Sequence, residues 1–160
     1  MGAHELSALL WRERELLELL TFKLEEEQLL LTAGKTRWLQ HATREVEQVL
    51  ERLREAGLGR TVEIAAVARE WGSPEGATLR ELIAHAPEGP WGEIFNGHLQ
   101  AMTELTGRIK ELRDVNEKFL RAAARSTQET LAGVSAEPGT YDSHGTSAAK
   151  SDARLFDKTL

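Results

Sequence analysis

The residues best placed for chemistry in this chain are Gly34-Lys35-Thr36, the triplet Glu25-Glu26-Glu27, the pair His41 and Glu45, and two isolated polar groups, His98 and Asn116. Gly34-Lys35-Thr36 matches the end of a phosphate-binding loop, in which backbone N–H groups and a lysine hold the phosphates. That loop needs an earlier glycine where this chain has Leu29, and a strand before it where this chain has a leucine-rich helical pattern. Lys35 and Arg37 therefore read as solvated charges beside a helix joint. Three successive glutamates on a helix point about 100° apart and cannot converge on one hard cation, so Glu25 to Glu27 read as a solvated face. His41 and Glu45 share a helix face, but two ligands without a third make a poor metal site.

His98 and Asn116 fall on an otherwise apolar seam. For His98 the expected role is a hydrogen-bonded core residue, the alternative being a ligand or catalytic group in a polar cavity. Asn116 is the kind of buried polar residue that fixes register or partner, or that simply bonds to backbone. No serine or threonine stands in a nucleophile motif, and no glycine-rich catalytic loop is present. The reading is a chain with no catalytic residues, no cofactor and no metal site.

The elements that position these groups are helical. Leu6, Leu10, Leu17, Leu20, Leu24 and Leu31 form one seam at a period near 3.5, with Glu13 and Glu27 filling its two polar steps. Leu9, Leu16 and Leu30 widen the apolar face, which then needs more than one helix to cover it. The pattern runs from about His4 to Ala56 and is expected to end at Gly57 and Gly59. Leu31, Gly34, Trp38 and Ala42 keep the same spacing, so the sequence favours one helix with a soft point at Gly34 over two helices.

Val62, Ile64, Ala65, Ala68 and Trp71 suggest a helix of about three turns, and Thr78-Leu79-Arg80-Glu81 is a capping box that opens another short one. Pro90-Trp91 begins a last long helix reaching about Leu131. Its seam is Phe95, His98, Met102, Leu105, Ile109, Leu112, Asn116, Phe119 and Ala123. The expected fold is all-α: two long antiparallel helices with a short helical cap, a coiled-coil-like bundle over 1–133, and a disordered C-terminal tail over 134–160.

Composition narrows the function. A chain of 160 residues with 29% charged and 41% hydrophobic residues describes one small soluble domain. Its formal charge of −6 opposes nucleic-acid binding, which relies on clustered Lys and Arg. The absence of cysteine excludes disulfides and thiolate metal sites and fits a reducing compartment. No stretch approaches the roughly 20 apolar residues of a membrane span, and the N-terminus lacks a signal peptide's basic region. Cytoplasmic location without membrane insertion is the expectation.

The runs Leu16 to Leu20, Lys23 to Gly34 and Arg37-Trp38-Leu39 resemble the first helix of FlgN-type flagellar export chaperones. The last helix, with Leu112-Arg113-Asp114-Val115-Asn116, resembles that family's second long helix. Thr140-Tyr141-Asp142-x-x-Gly145 resembles its short tail signature. The resemblance covers residues 5 to 145 and implies a non-enzymatic cytosolic chaperone. Such a chaperone holds the terminal helices of hook-filament junction proteins, prevents premature assembly and helps present them to the export apparatus.

Partner-binding residues are expected in two places. The C-terminal half of the last helix offers Leu112, Phe119, Leu120 and Leu131 as a groove for those helices, against the alternative that all four pack the chain's own core. The tail offers Tyr141, Asp142, Leu155 and Phe156, of which Tyr141 and the late apolar residues would act as anchors for a segment that folds on binding. Two other classes stay open: a structural or adaptor coiled coil that homo-oligomerises through the Leu6 to Leu31 face, and a small helical enzyme or ligand binder that uses His98 and Asn116 and requires a pocket in the bundle. A cargo-free homo-oligomer is compatible with the first reading as well.

Overall fold

The computed structural model describes residues 2–136; the expected tail from 137 onward, with Tyr141, Asp142, Leu155 and Phe156, lies outside the described residues, while 134–136 belong to the last helix. Four helices follow in order: α1 Gly2–Thr32, α2 Thr36–Trp71, α3 Leu79–Ala84 and α4 Trp91–Ala136. The all-α bundle expected from the leucine periodicity is present, with no strand among the described residues.

The first long pattern is two helices. Gly34 takes φ 67°, and the chain leaves α1 through bonds from Gly34 N–H to the Leu31 carbonyl (3.2 Å) and from Lys35 N–H to the Leu30 carbonyl (2.9 Å). That pair of bonds is the Schellman closure, which needs a residue at positive φ and so favours glycine. The spacing carried across Gly34 was coincidence, since Trp38 on the far side is half exposed.

Beyond the turn, α2 does not stop at Gly57 or Gly59 but continues to Trp71, absorbing the short helix expected after Thr61. Gly57 faces open space, whereas a Cβ on Gly59 would sit 3.2 Å from Leu9 Cδ1. Gly59 thus permits a close approach of α1 and α2 and carries no helix end. The true end is Gly72, at φ 69°.

The remaining boundaries follow the sequence signals. Thr78 caps α3 through both bonds of the capping box, its hydroxyl accepting from Glu81 N–H and its own N–H donating to the Glu81 carboxylate. Helix α4 starts at Trp91, with the Pro90 carbonyl accepting from Ile94 N–H at 3.0 Å, and runs past Leu131 to Ala136.

Met1–Leu120 form one compact unit. Within it α1 and α2 are antiparallel, because contacts pair Glu13 with Arg60, Lys23 with Glu45 and Glu27 with Thr43. Helix α4 runs parallel to α1, pairing Ser7 with His98 and Leu24 with Asn116. The antiparallel partner of α1 is therefore α2, a pairing the one-helix reading of residues 4–56 precluded.

Leucines of α1 serve two apolar clusters. One joins Ala3, Leu6 and Leu10 to Val67, Leu82, Phe95 and Met102; the other joins Leu20 and Leu24 to Val46, Val49, Ile109 and Leu112. Each fully buried leucine stabilises by about 1.5–3 kcal/mol. Residues 121–136, the described part of the second unit, are helical, with Leu131 and Val134 exposed.

Candidate functional site

Polar groups interrupt the core of the first unit in three places, each set by a sequence step where leucine is replaced. At the first, His98 is closed in by Ser7, Arg14 and Trp11. Its Nδ1 lies 3.3 Å from an Arg14 guanidinium nitrogen and its Nε2 3.3 Å from the Ser7 hydroxyl. Arginine only donates, so Nδ1 accepts and the ring proton belongs on Nε2, pointing to Ser7. The Trp11 ring stands edge-on at 5.0 Å and carries the Arg14 guanidinium on its face. Burial first, and the neighbouring Arg14 charge second, push the His98 pKa down. Both ring nitrogens are thus engaged and the imidazole is neutral: a core residue with partners, as its place on the seam suggested.

At the second, Glu13 is buried and pairs with Arg60 across α1 and α2. Burial raises the Glu13 pKa, and the Arg60 charge and hydrogen bond offset part of that rise. At the third, Glu27 accepts from the Thr43 hydroxyl at 2.9 Å and from Asn116 Nδ2 at 3.1 Å, while Nδ2 also donates to the Leu24 carbonyl at 2.9 Å. Asn116 Oδ1 is buried and has no hydrogen-bond partner. The three glutamates therefore separate: Glu25 is exposed beside Arg108, Glu26 is half-buried, and Glu27 is 4% exposed in the core. The solvated-face reading is corrected for Glu27, whose place on the leucine seam was the signal to trust.

The third layer forms the floor of a groove. Between α2 and α4 a hollow of about 600 Å³ is lined by Leu24, Val46, Leu50, Ile109 and Leu120 together with Thr43 and the buried Glu27 and Asn116. A second hollow, of about 720 Å³, takes in Ile64, Ala65, Leu79, Leu99 and Met102, and Thr106 lines both. From Leu99 to Leu120 the α4 side of the groove spans roughly 30 Å at 1.5 Å per residue. Apolar walls of that length suit an amphipathic helix laid between two others.

The expected partner-binding residues fall in different surroundings. Leu112 is 2% exposed and packs in the core with Leu20, Leu24 and Val49. Phe119 is exposed, and Leu120 is half-buried on the groove. Leu131 is exposed in the second unit. Leu6, Leu10, Leu20 and Leu24 of the Leu6 to Leu31 face are buried in this chain's own core clusters. Sequence reading missed Thr43, Val46 and Leu50 as groove residues, because the groove exists only once α2 folds back.

Elsewhere, Lys35 and Arg37 are exposed at the joint, Arg37 lying over the Trp38 ring. Glu45 bonds to Lys23 at 2.9 Å, and that hydrogen bond lowers its pKa. Among the described residues no group of three His, Asp or Glu side chains is placed to hold a metal ion.

The family model described as FlgN protein matches residues 1–149. The chain belongs to the FlgN family. Its members are flagellar export chaperones, so this chain is a chaperone of flagellum assembly. No curated protein and no solved structure matches it. None of the described helices is long and apolar enough to cross a membrane.

Proposed function

We propose that this FlgN-family chain holds the terminal helices of hook-filament junction proteins in the cytoplasm, keeps them from assembling early and delivers them to the flagellar export apparatus. The observation that carries the reading is the open apolar groove between α2 and α4 in a chain of this family. Subunit helices that order only in the finished filament expose apolar stripes while they wait, and a groove of this kind covers such a stripe. Leu120 lines the groove, while Phe119 and Leu131 offer apolar surface on α4. Leu112, lying in the core, holds the groove wall in place. Tyr141, Asp142, Leu155 and Phe156 remain proposed anchors. Nothing in this role calls for catalysis, a cofactor or a metal.

The test is secretion. Deleting the gene should strongly reduce export of hook-filament junction proteins while leaving hook-protein export intact, and the full chain supplied in trans should restore it. Normal export of junction proteins by the deletion strain would sink the reading.

A further inference from the structure

The groove floor holds an electrostatic arrangement that the free chain leaves incomplete. Glu27 is 4% exposed, yet both its hydrogen bonds come from neutral donors, Thr43 Oγ1 and Asn116 Nδ2. No ion pair joins it to Lys110 or Arg113, although both line the same hollow, together with Asp114 and Glu117. Beside it, Asn116 is 2% exposed and its Oδ1 has no donor. A carboxylate with no cation and an amide oxygen with no donor thus belong to residues that line one hollow together with leucine, valine and isoleucine. A buried carboxylate gains most from a cationic donor, and an unpartnered buried acceptor costs free energy until one arrives.

We propose that the occupant of the α2/α4 groove is an amphipathic helix carrying one lysine or arginine within its apolar stripe, and that this side chain enters the hollow to meet Glu27 and Asn116 Oδ1. The fit is chemical at both ends. A long aliphatic stem lies against Leu24, Val46, Leu50, Ile109 and Leu120, and only the charged head reaches the polar floor. Glutamine would supply a donor but no charge, and norleucine the stem but neither. The site therefore discriminates among helices by a feature that an apolar groove alone would reject. This inference rests on the chaperone reading only in supposing that the groove binds helices, and the secretion test above does not depend on it.

The experiment titrates the full chain with designed five-turn amphipathic peptides, identical except for one central stripe position occupied by lysine, arginine, glutamine or norleucine. The lysine and arginine peptides should bind at least tenfold more tightly than the norleucine peptide, the range expected for a hydrogen bond to a charged group. Glu27→Gln should erase that preference without abolishing binding of the norleucine peptide. Should that variant fail to fold, the wild-type chain gives the answer directly: the Glu27 carboxylate and Asn116 carboxamide carbons should shift in the NMR spectrum with the lysine peptide and stay unmoved with norleucine. Equal binding of all four peptides, tighter binding of norleucine, or no binding by any of them would each overturn the proposal.

Discussion

Replacing Asn116 by leucine should expose how strongly the polar layer is coupled. The substitution removes one bond to the buried Glu27 carboxylate and one to the Leu24 carbonyl. A bond to a charged group contributes about 1.5–3 kcal/mol and a neutral one about 1 kcal/mol, so Asn116→Leu should cost about 3 kcal/mol. With about 2.1 cal/mol/K of unfolding entropy per residue over the roughly 130 described residues, that lowers the thermal midpoint by about 10 °C. Glu27→Leu alone takes one of two acceptors from the Asn116 amide and the acceptor of the Thr43 hydroxyl, and should cost a similar amount. The double variant removes both partners of the Glu27–Asn116 bond and replaces them with apolar groups, leaving the Thr43 hydroxyl to bond back to its own helix, a change that is often close to neutral. It should melt within about 4 °C of the unmodified chain. Calorimetry on the four proteins reads the coupling, and a double variant whose loss equals the sum of the singles would show that Glu27 and Asn116 do not act as one layer.

Three further outcomes follow from the same geometry. Because burial holds the His98 pKa down, the unfolded state takes up more protons; stability is full above about pH 6.5 and is lost as pH falls below it. Urea melts at pH 5 and pH 7 should show this slope shrinking in His98→Gln, and an unchanged slope would place the titration elsewhere. Gly57→Ala, in open helical space, should raise the midpoint by about 3 °C, while Gly59→Ala should gain less because its Cβ meets Leu9; equal gains would deny the close approach. Leu112→Ala should cost about 2–4 kcal/mol in a denaturant melt, and Leu131→Ala under about 0.5 kcal/mol. Similar losses at the two positions would contradict their assigned burial.

Much of the fold was legible because it is written in local signals. The Leu6 to Leu24 seam, the Thr78 capping box and the Pro90-Trp91 start each depend on neighbours a few residues away. The helix joint was not legible, since Gly34 is compatible with a helix interior at a cost of about 1 kcal/mol and the flanking pattern stayed in phase. Reading through it made one helix of α1 and the first part of α2, and so hid the antiparallel pair and the groove between α2 and α4. Gly57 and Gly59 misled in the opposite sense: Gly59 serves close helix packing against Leu9, and Gly57 sits in open space within the helix. Asn116 and Glu27 were visible as polar steps on apolar seams, but their meeting is a tertiary fact between residues 89 apart in sequence.

Hydrogen exchange on the full chain reads whether junction-protein helices bind in the proposed α2/α4 groove. The chain is mixed with the terminal-helix segments of the hook-filament junction proteins from the same cell, with flagellin's terminal helices as the control. Amide exchange in residues 43–50 and 106–120 should slow with the junction segments and stay unchanged with flagellin. Exchange unaltered in both stretches, or altered equally by the flagellin helices, would contradict that binding.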